Sequence, residues 1–349
     1  MFNPHNRRYT GAKTKLLKNI DSALLECFDY TKYKDLSFFD VFAGTGVVSD
    51  YFLRKDSFSQ FYINDFLHSN YALYQGFFSQ EAFSQARLES LKQEFLALDS
   101  KKLRENYYSK HFGGKFFSLR DSKLIGEIRE KLENLKSSQA INQKEFYILL
   151  SSLLYSADRV ANTVGHYDAY RKKEVLKDRF IYELISPIDS KATIEIFRED
   201  SNVLAQRFLQ EKKCIDIAFI DPPYNSRQYS RFYHLLETLT LHTKPTLYGI
   251  ALKPKPSHLS EYCTSRAELA FTDLLKHLSR VARVLVVTYN NTYTSKSSSS
   301  ANKISLESIQ SILQAQGKTR IFSFSHAPFS SGKTEFQAHR EYVFICECK

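Results

Sequence analysis

The sequence has few cysteines and no pattern among them. Cys27, Cys214, Cys263, Cys346 and Cys348 are odd in number and form no CxxC pair or Cys/His cluster. That argues against a disulfide framework and against a structural zinc site, and reduced cytosolic thiols are expected. No apolar run approaches the roughly 18 residues that a bilayer requires. Residues 1–17 are polar and basic and lack the apolar centre of a signal peptide. The expectation is a soluble, cytoplasmic protein without a membrane partner. Acidic residues are also in short supply, with 38 Asp and Glu against 49 Lys and Arg and a net charge of +11. An excess of this size favours a polyanionic partner.

What is present is ordinary for a globular chain. Of 349 residues, 43% are hydrophobic and 25% are charged, which argues against a disordered or fibrous protein. The length suits two domains and a large core that needs no cross-links. The 28 Phe and 22 Tyr reflect either source composition or a supply of stacking groups, and both readings stay open. A short apolar run at 36–42, a helical pattern at 47–54 and a second strand pattern at 60–64 form a βαβ unit, which implies a parallel sheet. Helical periodicity then dominates at 80–98, 120–136 and 143–160, with a break at Gly113 and Gly114. A polar, aromatic and basic loop follows at 162–173. Strand patterns resume at 192–197, 214–220 and 281–289, with a closing pair at 319–325 and 341–348 and a helix at 231–241. Segments 244–258 and 294–303 read as loops.

Two short motifs carry chemistry. Gly44-Thr45-Gly46 follows the first strand, and Asp65 ends the second, 19 residues after Gly46. Glycines at a strand-to-helix turn let the backbone approach a ligand, and a carboxylate at that spacing suits ribose hydroxyls. Neither GxGxxG nor Gly-Lys-Ser/Thr is present, so a nucleoside ligand without a pyrophosphate is expected, and S-adenosylmethionine (AdoMet) fits. Asp221-Pro222-Pro223-Tyr224 follows the apolar strand at 214–220, at the edge where open α/β sheets bind ligands. The prolines fix the backbone and remove two N–H donors, leaving carbonyls to accept. A carboxylate, a rigid carbonyl and an aromatic ring at one point suit an exocyclic amino group on a base.

With these residues in place, the sequence resembles the Dam-like, alpha-group adenine DNA methyltransferases. Tyr9 through Lys13 is similar to the family's aromatic-x-G-x-K start, Asp40 to Gly46 to its AdoMet loop, Asn64-Asp65 to the acidic end of its second strand, and Asp221 to Tyr224 to its catalytic tetrad. The run on through Tyr229 is similar to methylases of restriction–modification systems with asymmetric sites. The resemblance implies an α/β, Rossmann-like AdoMet-dependent methyltransferase sheet with an inserted, mostly helical DNA-recognition domain. The sheet domain is expected over 1–75 and 191–349 and the insert over 76–190. Phe42, Gly44, Gly46, Asp65 and Asp221 are expected around the cofactor, with Tyr9 and Lys13 bordering it. Asp200 would accept from its adenine amino group, or else serve as a helix N-terminal carboxylate.

The chemistry implied is direct. Asp221 and the Pro222 carbonyl would accept the two amino hydrogens of a flipped-out adenine while Tyr224 stacks on the base. No metal is expected. Arg171, Lys172 and Lys173 are candidates for phosphate contacts, and Asn162, His166, Arg227 and Gln228 for base contacts. The partner expected is double-stranded DNA, and the role the modification arm of a restriction–modification system whose endonuclease need not bind the chain. A monomer is expected. RNA or protein amino-methyltransferases usually carry Asn before Pro-Pro-Tyr, and cytosine amino-methyltransferases commonly Ser. A catalytically decayed DNA-binding protein would not be expected to keep Gly44, Gly46, Asp65, Asp221 and Tyr224 together.

Overall fold

The structure is a computed structural model that describes residues 9, 11–172, 175–256, 258–292, 301–325 and 339–349. Lys173 and most of the serine-rich loop at 294–303 lie outside the described residues. The chain divides into two compact units. The sheet unit comprises Gly11–Phe66, Ser190–Gln228 and His258–Lys349, and the helical unit Met1–Thr10, Leu67–Asp189 and Tyr229–Ser257.

The sheet unit is built on β1 (Leu36–Asp40), β2 (Phe58–Asn64), β3 (Thr193–Phe197), β4 (Ile215–Ile220), β5 (Ala282–Asn290), β6 (Gly317–Ser325) and β7 (Arg340–Cys348). These form one seven-stranded sheet in the order β3-β2-β1-β4-β5-β7-β6. The first five strands are mutually parallel, and β7 runs antiparallel to both β5 and β6. This is the α/β, Rossmann-like sheet expected from the sequence. From β1 the chain winds outward through β2 and β3, then returns to β4 on the other side of β1. The strand order therefore reverses between β1 and β4, and ligands of open α/β sheets bind at that reversal.

Both faces of β1 are buried, which explains its unbroken apolar pattern. Phe38 stacks on Phe52 of helix Val47–Leu53 at 4.6 Å, on one face. Phe39 packs against Phe208 of helix Ser201–Gln210 at 5.2 Å, on the other. The second face continues into a core of Leu204, Phe271, Leu274, Leu278, Leu285 and Leu313. Ile220 of β4 pairs with Val287 of β5, so the next residues, Asp221 and Thr288, emerge side by side at the carboxyl edge.

In the helical unit, the helices expected from periodicity form as Gln85–Leu96, Leu119–Ser137 and Gln143–Val160. Their starts are fixed by side chains: Ser84, Ser118 and Asn142 each accept a backbone N–H of the first turn. The helix expected over 231–241 is interrupted, because Tyr233 leaves the helical region at φ −108°, ψ 23°. Tyr229–Phe232 and His234–Leu241 result. The unit takes in more chain than the stretch 76–190. Glu237 accepts from the backbone N–H groups of His68 and Ser69 at 3.1 and 2.7 Å, and buried Arg129 donates to the carbonyls of Leu239 and Thr240. These bonds anchor 229–257 in the helical unit. No described helix is long and apolar enough to cross a membrane.

Helix His68–Phe77 packs along Gln143–Val160, and Ser151 donates to the Ala72 carbonyl at 3.0 Å. The approach is closest at Gly76, where an added Cβ would stand 2.5 Å from Ser151 Oγ and 2.7 Å from the Tyr147 carbonyl oxygen. Gly76→Ala gains about 1 kcal/mol of helix propensity. The carbonyl sits on a helix backbone that cannot swing aside, so overpacking of about 1–3 kcal/mol is expected to win. Urea unfolding should show a lower midpoint for Gly76→Ala. An unchanged or higher midpoint would mean that the two helices separate at little cost.

Candidate active site

The site grows from the carboxyl ends of β1, β2, β4 and β5. After β1 the chain turns through Gly44 and Gly46, both in the left-handed region at φ 53° and 77°. A side chain at either would be strained there, which is the physical reason for the GxG spacing. Asp65 locks the turn: its Oδ2 accepts from Gly44 N–H at 2.9 Å. Asn64 and Ser201 brace the same turn by donating to the Val41 carbonyl, each at 3.2 Å.

Asp40 lies beneath this turn and is fully buried. Ser49 donates to its Oδ2 at 2.6 Å, while Oδ1 has no partner among the described residues. Burial pushes its carboxyl up to about 7, against the pull of Ser49 and with help from the Asp221 and Asp65 charges. A buried carboxylate with an orphaned oxygen is costly unless a donor or cation completes it.

Asp221 has the opposite surroundings. Three donors meet on its Oδ1: Lys13 Nζ at 3.0 Å, Tyr224 Oη at 2.5 Å and Thr288 Oγ1 at 2.8 Å. Among the described residues nothing bonds to Oδ2. Burial raises this carboxyl above its ordinary value, and Lys13, Tyr224 and Thr288 all work against that rise. Lys13 is only 4% exposed. Burial alone would lower its ammonium, but the Asp221 and Glu341 carboxylates outweigh that and hold it above its ordinary value. Its Nζ also lies 4.9 Å from the centre of the Tyr224 ring. Burial, with Asp221 and Glu341, keeps the Tyr224 hydroxyl protonated far beyond neutral pH.

The tetrad loop is pinned behind these contacts. The Tyr224 carbonyl accepts from Tyr289 Oη at 3.1 Å and from Lys303 N–H at 2.8 Å, and the Tyr224 and Tyr289 rings stand 4.4 Å apart. Pro222 is buried, and its carbonyl accepts from no described residue.

The sheet unit thus brings together Lys13, Gly44, Gly46, Asp65, Asp221, Pro222 and Tyr224. Phe42 is half-buried and meets the Tyr262 ring edge-on at 5.0 Å. Asp200 caps helix Ser201–Gln210, its Oδ1 accepting from Asn202 and Val203 N–H. Arg227 is part-buried, and Gln228 forms a two-way bond with Ser260, donating to its carbonyl at 2.9 Å and accepting from its N–H at 2.8 Å. The remaining candidates belong to the helical unit. There Tyr9 stacks on Tyr233 at 4.6 Å and Tyr229 at 5.5 Å. Asn162 is buried, and its amide donates to the Lys115 and Arg171 carbonyls. His166 stacks on Phe232 at 4.5 Å, and Arg171 and Lys172 are exposed.

Three residues at or near the site, Ser49, Thr288 and Glu341, carried no role in the sequence reading, and Asp40 entered it only as the first residue of the AdoMet-loop resemblance. Asp40 and Thr288 had a usable signal, since each is a polar residue closing an apolar run in a strand of a parallel sheet. Ser49 and Glu341 had none, because their contacts depend on helix and strand placement across the sheet.

Asp65 and Asp221 lie near enough to Asp40 to raise its carboxyl, and the orphaned Asp40 oxygen and the glycine turn fit a cationic nucleoside such as AdoMet. The family model described as D12 class N6 adenine-specific DNA methyltransferase matches residues 9–312. The modification methylase StsI of Streptococcus sanguinis is 30% identical over 81% of this chain and 44% of its own length. The type II methyltransferase M.FokI of Planomicrobium okeanokoites is 30% identical over 97% of this chain and 52% of its own length. The chain therefore spans about half the length of these two relatives. M.NlaIII of Neisseria lactamica, at 28% identity, is matched over 97% of this chain and 98% of its own length. Both the glycine turn and the Asp-Pro-Pro-Tyr loop fall inside the matched span, and the chain belongs to the D12 class N6 adenine-specific DNA methyltransferase family.

Proposed function

We propose that the chain methylates the exocyclic amino group of an adenine turned out of duplex DNA, as the modification arm of a restriction–modification system. The observation that carries this reading is the single carboxylate oxygen of Asp221 held by three donors. With Oδ1 fixed by Lys13, Tyr224 and Thr288, Oδ2 is oriented as an acceptor, and the Pro222 carbonyl is a second. Two acceptors on one amino group draw its nitrogen toward tetrahedral geometry and turn its lone pair outward. AdoMet supplies the methyl group, carried on a positively charged sulfur. Asp221 then stabilises the positive charge that develops on the attacked nitrogen, a preorganised electrostatic contribution. Lys13 favours the ionised form of Asp221 against the effect of burial. Tyr224 holds the carboxylate through its hydroxyl and offers its ring to the base. Asp65, already bonded to Gly44, and Asp40 supply negative charge to the cofactor side, and Asp200 serves its adenine end. Exposed Arg171 and Lys172 are assigned to DNA phosphates.

Asp221→Asn should fold and lose on the order of a hundred- to a thousandfold in single-turnover methyl transfer. Thr288→Val removes one hydrogen bond to a charged group, worth about 1.5–3 kcal/mol, and should slow the same step by roughly ten- to a hundredfold. Thr288→Ser should recover most of that loss. Labelled AdoMet and a duplex carrying the site mapped in DNA from an expressing host would measure all three. A near-normal rate for folded Asp221→Asn would overturn the role given to the tetrad.

Asp40 yields a pH prediction. Its folded value of about 7 lies above its ordinary range, so protonation stabilises the free protein, and that contribution fades as pH rises through 7. A bound cation lowers this value and expels the proton. AdoMet affinity should therefore strengthen as pH rises toward 7 and level off above it. Calorimetry in buffers of different ionisation enthalpy should detect the released proton, and Asp40→Asn should abolish it. Identical heats in all buffers at pH 6 to 7 would contradict the assignment.

A further inference from the structure

Residues 244–256 close into a hairpin within the helical unit. Tyr248 and Lys253 pair across it, with N–H to carbonyl bonds of 2.8 and 3.0 Å in the two directions. Leu252 N–H bonds to the Gly249 carbonyl at 3.2 Å, closing the tip. Gly249 and Leu252 both adopt left-handed angles, φ 69° and 57°. For leucine that conformation is uncommon and costs roughly 1–2 kcal/mol. Strain of this kind, kept in a surface turn, points to a shape that serves a purpose.

The stems are held and the tip is not covered. Tyr107 Oη donates to the Pro245 carbonyl at 2.5 Å, and Arg231 donates to the Pro254 carbonyl. Lys244 pairs with Glu130, and Lys253 with Asp168. Pro245, Pro254 and Pro256 stiffen the same stems. At the tip, Tyr248 is 51% and Ile250 71% exposed, and an added Cβ on Gly249 would meet nothing within 4 Å. Elsewhere exposed apolar side chains such as Val203 and Leu269 lie singly on helices, which is normal for a soluble surface. Here an aromatic and a branched aliphatic stand two residues apart on an anchored turn.

The chain around the tip bears on the partner. Residues 238–260 contain Lys244, Lys253 and Lys255 and no acidic residue; Lys244 and Lys253 are paired with Glu130 and Asp168, and Lys255 is exposed. An apolar tip on a rigid support, with an exposed lysine beside it in a chain of net charge +11, matches the wedges with which proteins part stacked base pairs. We propose that Tyr248 and Ile250 form such a wedge, entering the base stack of duplex DNA and lowering the cost of turning out the target base. This rests on the DNA methyltransferase reading above.

The test uses the full chain and the doubly substituted Tyr248→Ala/Ile250→Ala variant. The duplex carries the host-mapped site, once fully paired and once with a mismatch opposite the target adenine. A third duplex has 2-aminopurine at the target position. The variant should keep its circular dichroism and its heat of AdoMet binding. On the paired duplex it should lose at least about tenfold in single-turnover methylation, since unstacking costs a few kcal/mol per step. It should also lose the rise in 2-aminopurine fluorescence. On the mismatched duplex, where opening is already easy, its rate should return to within about threefold of the unsubstituted protein. A wild-type rate on the paired duplex would overturn the wedge and leave the tip to a protein partner. Equal loss on paired and mismatched duplexes would also overturn it, as damage unrelated to base opening. If the unsubstituted protein methylates neither duplex, it is the methyltransferase reading that fails.

Discussion

The parallel pairing of β1 with β4 is the constraint on which the site depends. Asp40 aligns with Phe219 across that pair, so the glycine turn and the tetrad loop leave neighbouring strands at the same edge. Nothing local in either motif would bring them together. The pairing is held by residues with no chemistry of their own: Phe38 and Phe39 buried on opposite faces of β1, and the apolar run of β4 between them and β5. Adding β5 in register then delivers Thr288 to Asp221. Packing sets the register, and the register sets hydrogen bonds of 2.5 to 3.0 Å around one carboxylate.

Two carboxylates at this edge show what partners do to a buried charge. Both are raised by loss of water. Asp40 has one hydroxyl donor and two carboxylate neighbours, and is pushed up to about 7. Asp221 has a lysine and two hydroxyls on one oxygen, which counter the same penalty. Desolvation is the largest influence in each case, and the two carboxylates differ in the donors set against it. In the proposed function one carboxylate trades a proton for a cation, while the other accepts hydrogen bonds.

Much of this was legible in the sequence because it depends on short-range pattern. The strands β1, β2, β4 and β5 are apolar runs ended by Asp40, Asp65, Asp221 and Thr288 or by residues beside them, and burial on both faces gives such runs their signature. The glycine turn was legible because left-handed angles restrict residue choice. Helices Ala267–Leu278 and Leu306–Gln316, which cover one face of the sheet with Ser201–Gln210, were not recognised from the sequence, although each buries a stripe of leucine, isoleucine, alanine or phenylalanine; Ser201–Gln210 was implied only by the alternative reading of Asp200 as a helix N-terminal carboxylate. The split at Tyr233 could not be read either, because it lies in a segment of otherwise continuous helical spacing. Among the polar candidates, sequence could not tell a working side chain from a structural one. Asn162 and Gln228 use their amides on backbone groups; Asp200 uses one oxygen to cap a helix, the alternative that the sequence offered for it.

The placement of Lys13 raises a physical question that the geometry answers. In the proposed reaction, a lysine beside the carboxylate that stabilises a growing positive charge would oppose the step. Coulomb attraction between Lys13 and Asp221 at 3.0 Å, however, works against the desolvation that raises the Asp221 carboxyl. A protonated Asp221 would be a donor on one oxygen and a weak acceptor on the other, and would not stabilise positive charge at all. Lys13 reaches Oδ1, the same oxygen as Tyr224 and Thr288, so it neutralises part of the charge without occupying Oδ2. In that proposal the cost is some attraction toward the reacting nitrogen, and the gain is support for the charged form of an acceptor in a buried site. With burial as the largest influence on Asp221, a carboxylate with a partly countered charge would serve the proposed reaction better than a neutral acid.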